Sequence, residues 1–145
     1  MTSQPVPVPD PSTEVGAAVI SRLERELIAW LTTVDPAGQP QSSPVWFLWD
    51  QAEIIVFSRA GASRTRNIAA NALVSVHLNS DETASDVVTF EGVARLVAGA
   101  PPASAMPAYL AKYGDLIKSY GWTPESFSAD YPDPIRIRPI RLRLR

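Results

Sequence analysis

Apolar residues recur at helical spacing at Val15, Val19, Ile20 and Leu23, behind Ser12 or Thr13 as a cap and Glu14 at the positive helix start. This predicts a helix over about residues 13–24. Leu27 to Val34 is rich in β-formers and runs into Asp35-Pro36-Ala37-Gly38. Proline second and glycine last suit a type I turn closed by a left-handed residue, so a hairpin is expected. The returning strand, about 40–49, alternates so that Val45, Phe47 and Trp49 share one face and Pro44, Trp46 and Leu48 the other. Both faces are apolar. One lines a core; the other needs a cover, for which a partner subunit or a flat ligand is the natural choice.

A third strand is expected over 54–58, ended by Gly61, then a short helix over 62–71 with Ile68 and Ala69 inward. A fourth strand (73–78), an acidic polar turn (79–86) and a fifth strand (87–97) follow, with Gly92 at a bend or bulge. Met106, Leu110, Tyr113, Ile117 and Tyr120 form an amphipathic helical stripe that Gly121 stops, and a helical turn is expected after Thr123-Pro124-Glu125. On that helix Tyr109, Lys112 and Tyr113, at i, i+3 and i+4, share a face, assigned to dimer packing ahead of substrate contact. Residues 135–145 alternate strictly, with a phase slip at Pro139. That predicts a final strand with a bulge or break, confined there to an edge. Six strands with mostly hairpin-length links define a mainly β chain: a small antiparallel barrel with peripheral helices. Pro5, Pro7, Pro9 and Pro11 mark residues 1–11 as a loose proline-rich tail, leaving 12–145 as one domain.

Composition narrows the chemistry. At 145 residues, 46% hydrophobic and 19% charged, the chain is an ordinary globular domain. A net charge of −2 and a pI of about 5.3 argue against a nucleic-acid partner. There is no cysteine and a single histidine, His77, so disulfides, thiolate sites and multi-histidine zinc sites are excluded and no metal centre is expected. No apolar run is long enough to span a bilayer, and the N-terminus lacks a signal pattern. A cytoplasmic protein without a membrane partner is the expectation. Against the acidic background, residues 54–80 hold Arg59, Arg64 and Arg66 and no Asp or Glu. Arg64 and Arg66 fall at a helix start, where the dipole disfavours cations. Two readings stand: an anion site built from helix N–H groups, guanidinium forks and the hydroxyls of Ser58, Ser63 and Thr65, or a solvated loop whose arginines pair with acids elsewhere.

The run Val56 to Asn71 resembles the strand–loop–helix of the pyridoxamine 5′-phosphate oxidase-like split-barrel proteins. The hairpin at 33–40 followed by Ser43-Pro44-Val45-Trp46-Phe47 is similar to the family's first hairpin, and Phe90-Glu91-Gly92-Val93-Ala94 to its central strand. With Tyr109 to Tyr113 and the closing arginine-rich strand, the likeness covers about residues 20–145. It is nearest to the actinobacterial branch that uses the deazaflavin coenzyme F-420 in place of FMN.

The resemblance implies a six-stranded antiparallel split β-barrel of the FMN-binding type, homodimeric, with a flavin-type ring in a groove between subunits. By position Arg64 matches the basic residue, often lysine, that holds the cofactor phosphate, and Thr65, Arg66 and Asn67 continue that helix start. Ser58 and Arg59 sit where the third strand ends against the cofactor; Ser43, Pro44, Val45 and Trp46 match the strand flanking the ring. The second strand lacks the family's basic pair, which argues against vitamin B6 chemistry and favours F-420 over FMN. The implied activity is hydride transfer to a small unsaturated or aromatic acceptor, with the chemistry carried by the cofactor; no catalytic side chain is assigned. A non-catalytic cofactor-binding protein and an FMN protein related to the oxidase are the alternatives. His77 reads as a packing or hydrogen-bonding residue, with axial haem ligation as its other reading. The C-terminal arginines read as a solvated edge, or as a guide for an acidic cofactor tail or an acidic protein partner.

Overall fold

The computed structural model describes residues 8–145. Of the expected tail, residues 1–7 lie outside the described residues. Asp10 turns the chain onto the first helix: its carboxylate accepts from Ser12 N at 2.9 Å, and its carbonyl accepts from the Thr13 hydroxyl at 2.9 Å. Helix α1 (Glu14–Arg25) is capped by Thr13, whose oxygen accepts from Gly16 N at 2.9 Å. Strand β1 (Ala29–Val34) then forms a hairpin with β2 (Pro40–Val45). In the turn Gly38 takes φ 85°, the left-handed conformation expected there, and Gly38 N donates to Asp35 O at 2.9 Å.

The strand expected over 40–49 is broken. It leaves the ladder at Trp46–Phe47 and resumes as β3 (Leu48–Asp50), which gives seven strands rather than six. The others are β4 (Glu53–Ser58), β5 (Leu73–Leu78), β6 (Val88–Leu96) and β7 (Asp133–Leu144). Their order in the antiparallel sheet is β2-β1-β5-β6-β7-β4-β3. The two end strands, β2 and β3, are joined by two residues, so the sheet curls until its edges meet: a split barrel. Helix α2 (Ser63–Ala70) links β4 to β5, and α3 (Pro107–Ser119) and α4 (Pro124–Asp130) lie between β6 and β7. No helix among the described residues is long and apolar enough to cross a membrane.

The alternation expected for 44–49 holds through the break. Val45 and Phe47 are buried in the barrel core with Leu31, Phe90, Ile135 and Ile137, and Trp49 packs against it. Leu48 and Trp46 face a second cluster with Ile55, Phe57, Tyr109, Tyr113, Ile117 and Phe127. The cover for that outer face is therefore the chain's own α3 and α4. Likewise Tyr109 and Tyr113, assigned from sequence to dimer packing, are both fully buried within one chain. Strand β4 shows why a continuous apolar run was needed: Ile54 and Val56 point into the barrel and Ile55 and Phe57 out under the helices.

The phase slip at Pro139 is a β-bulge. Glu91 pairs with Arg141 but Gly92 pairs with Pro139, so Ile140 is the extra residue. The β4–β7 pairing ends at Ile137, so from there on β7 is an edge, as proline requires. Acids take up much of the arginine run. Arg136 Nε is 2.8 Å from Glu53 and its Nη2 3.0 Å from Asp50; Arg95 lies 2.6 Å from Glu53; Arg141 and Arg143 meet Glu91 at 3.7 and 3.0 Å.

A Cβ on Gly92 would lie 2.8 Å from Ile137 Cγ2 and 3.2 Å from Arg138 O. Gly92→Ala is expected to lower the unfolding free energy by about 1–3 kcal/mol, measured by urea denaturation. The guanidinium of Arg95, together with that of Arg136, holds Glu53 down at about 2, against its ordinary 4.5. Its contribution to stability is present above 4.5 and is lost as pH falls from there through about 2. Glu53→Gln is expected to flatten that part of the acid limb in a series of thermal melts between those pH values.

Candidate functional site

Strand β4 ends at Ser58, and the chain turns through Gly61 into α2, whose cap position is Ala62 and has no side-chain cap bond. The first turn of α2 carries no acid. Arg64 projects from this start back toward β2, and its Nη2 donates to Ser43 Oγ at 2.9 Å. It is half-buried, and burial lowers its pKa. Among the described residues no carboxylate lies within ion-pair distance of Arg59, Arg64 or Arg66, in contrast to Arg136 and Arg95. The loop reading in which these arginines pair with acids elsewhere therefore fails.

Arg64 stands on the wall of a cavity of about 500 Å³. One side is the end of β2 and β4: Pro44, Val45, Trp46, Phe57 and Ser58. The other side is aromatic: Tyr120, Trp122, Phe127 and Tyr131. Ser58 is fully buried, and its hydroxyl has no hydrogen-bond partner. A buried hydroxyl left unpaired costs free energy, so one on a cavity wall beside a half-buried cation suits an anionic or polar occupant. Arg59 lies at the mouth, 4.8 Å over the Tyr131 ring, with Nη2 donating to the Tyr131 hydroxyl at 3.1 Å. Trp46 is stacked on Tyr113 (4.8 Å, 6°) and against Phe127 (5.5 Å, 17°), so its indole is both core and wall.

Of the residues singled out from the sequence, Pro44, Val45, Trp46, Ser58, Arg59 and Arg64 meet in this cavity. Ser43 adjoins it through Arg64, in a smaller hollow of about 260 Å³ that Ser63 and Gln41 also line. Thr65 and Arg66 open onto a groove that does not include the aromatic wall. The Thr65 hydroxyl donates back to Ala62 O at 2.7 Å, and Arg66 folds onto Gly61 O. Asn67 is buried and donates to Thr33 Oγ1 and Gln41 Oε1, both at 3.0 Å, pinning α2 to the first hairpin. His77 is outside the cavity, stacked on Trp30 at 6.2 Å. The aromatic wall was missed from sequence; the four-residue step from Phe127 to Tyr131 was its signal.

A curled antiparallel sheet whose end strands are consecutive, with an aromatic cavity at the strand-to-helix turn, defines a split-barrel domain. The family model described as pyridoxamine 5′-phosphate oxidase matches residues 16–143, and the chain belongs to that family. Among solved structures it is similar to an F420 reductase, 28% identical over 85% of this chain and 94% of that one, with a TM-score of 0.63. It also resembles a putative pyridoxamine 5′-phosphate oxidase from Listeria innocua (21% identical, 90% and 98% covered, TM-score 0.67). A third likeness is to the haem storage protein of Vibrio cholerae (24% identical, 88% and 92% covered, TM-score 0.62). No curated protein matches the sequence.

Proposed function

We propose that this protein is an oxidoreductase that binds F-420, with FMN as the alternative, in the aromatic cavity and serves hydride transfer to a small unsaturated or aromatic acceptor. The observation that carries the reading is the pairing of a half-buried Arg64 without a carboxylate and the orphaned Ser58 hydroxyl on one wall. These groups fit a ligand with an anionic tail and a flat head. Arg64 and Ser43 would hold the phosphate, with Thr65, Arg66 and Asn67 ordering the helix start behind them. Ser58 would meet a polar edge, and Pro44, Val45 and Trp46 would flank the ring, with Arg59 at the mouth. A flat occupant against the aromatic wall would displace water, which would strengthen the polar contacts inside. When bound, a flavin-type cofactor supplies the hydride chemistry itself. The likeness to an F420 reductase supports this choice of cofactor.

Tyr120 is 58% exposed and Trp122 37%, so the cavity mouth presents two aromatic rings to solvent. A second copy of the chain across that mouth would complete the groove, and a cytoplasmic homodimer is the state proposed. One observation favours a second reading, a cofactor carrier without turnover. Among the described residues the cavity is lined by no histidine and no carboxylate, so no acid–base group is at hand beyond tyrosine.

Titration with FMN and with F-420, followed by absorbance, tests the cofactor, and reoxidation of the bound reduced cofactor against a panel of acceptors separates enzyme from carrier. Saturation without acceptor-dependent reoxidation favours the carrier, and absence of binding by either compound overturns both readings. Arg64→Ala is expected to weaken binding of the phosphate-bearing cofactor by about 1.5–3 kcal/mol in calorimetric titration, the range for a hydrogen bond to a charged group. Unchanged affinity would remove Arg64 from the site.

A further inference from the structure

The ammonium of Lys112 has no carboxylate within ion-pair distance among the described residues. It lies half-buried on α3, donates to Phe47 O at 2.9 Å and to Leu23 O at 3.1 Å, and sits 3.7 Å from the centroid of the Phe47 ring. Leu23 is in the last turns of α1, where carbonyls lack helical partners and the dipole is negative. Phe47 is in the two-residue break between β2 and β3, where no ladder serves its peptide groups. The next residue, Tyr113, takes the remaining half of that residue's hydrogen bonding. Its hydroxyl accepts from Phe47 N at 2.8 Å, and its single proton lies within reach of Leu27 O (2.8 Å) and Phe47 O (2.9 Å), which share it. Its ring carries the Trp46 indole face to face. A hydrocarbon side chain would fill the place of Lys112 without the cost of desolvating a cation, so the charge needs a reason.

We propose that Lys112 and Tyr113 are positioning residues for the cavity: they hold the Trp46–Phe47 break so that Phe47 enters the barrel and the Trp46 indole faces the occupant. The consequence for ligand binding rests on the cofactor reading above; the geometry does not. Burial lowers Lys112 to about 8, with Glu26 pulling the other way. The charged and titratable groups around it are Glu26 and its partner Arg22 from α1, and Tyr113 on its own helix, itself raised by burial. The break offers only backbone and the Phe47 ring. A value lowered by burial means that the packed arrangement gains on deprotonation, and the neutral amine still donates to both carbonyls, so the contact under Trp46 persists as pH rises through that value and the positioning role rests on the two carbonyl bonds.

The test follows the near-UV circular dichroism of Trp46, isolated by subtracting the spectrum of the Trp46→Phe counterpart, in ligand-free protein at neutral pH. Lys112→Met is expected to lose this signal, and Lys112→Arg, which still donates to carbonyls, to restore it. In parallel, the Kd for FMN and for F-420 is expected to rise about tenfold or more in Lys112→Met, the loss of a charged hydrogen bond. A folded Lys112→Met protein with the wild-type Trp46 signal overturns the inference, because a purely stabilising lysine would lower Tm and leave that signal alone. Should Lys112→Met not fold, Tyr113→Phe, which removes only the hydroxyl at Phe47, decides it: the Trp46 signal is expected to be lost, and a wild-type signal overturns the inference. If the Trp46 signal depends on Lys112 while neither FMN nor F-420 binds wild type, the cofactor reading fails and the positioning role stands.

Discussion

A curled sheet whose two edge strands are consecutive in sequence must take its chain out of the ladder at the join. In this protein that join is Trp46–Phe47, and everything near the cavity depends on how its peptide groups are satisfied. Buried backbone polar groups without partners cost roughly 1–3 kcal/mol each, so an unsupported break of this kind would not persist. Helix α3 supplies the missing partners through the Tyr113 hydroxyl and the Lys112 ammonium. The same contact holds α3 against the outer face of β3 and β4, which gives Leu48, Ile55 and Phe57 their cover. Closing the barrel, burying its outer face and placing one wall of the cavity are thus parts of one packing event.

The arginines divide by environment. Arg136, Arg141 and Arg143 of β7 and Arg95 of β6 meet acids on other strands, and Glu53 serves Arg95 and Arg136 together. Partly exposed pairs of this kind contribute little individually, but they account for the local charge. Arg64 has no such partner, and it lines the same cavity as Ser58, whose buried hydroxyl has none either. Because the strand-to-helix turn sets both positions, the imbalance is built into the fold, and it is the basis on which an anionic occupant is proposed.

Much of this was legible in the sequence. The alternation of 44–49 gave the correct faces, the phase slip at Pro139 marked the bulge, and Asp35 to Gly38 marked the hairpin turn. The strand break was not legible, because alternation continues through Trp46 and Phe47 even though the ladder does not. Nor was the owner of the outer cover: an apolar face states that it must be buried and not by what, and here Tyr109, Tyr113 and Phe127 of the same chain bury it. At the site, charge pattern pointed to the 58–66 turn, whereas Asn67 shares that run for a structural reason, its bonds to Thr33 and Gln41. Tyr120, Trp122, Phe127 and Tyr131 come from a segment more than fifty residues further on, and only tertiary structure brings them to the turn.

The two sides of the cavity are held by different forces. Val45 and Ser58 belong to ladder strands, and Arg64 is tied to Ser43, so the polar side is set by directional bonds. The aromatic side is held mainly by stacking: Phe127 on Tyr131 at 4.7 Å, Tyr120 on Trp122 at 4.8 Å, and the Arg59 guanidinium over Tyr131. Stacked rings slide past one another at less cost than a ladder bond breaks, since dispersion and quadrupole contacts are individually weak and only loosely directional. For the proposed occupant, accommodation of shape would therefore fall to α4 and its flanks, while the cationic end would stay fixed. A site so divided would discriminate by charge at one end and tolerate shape at the other.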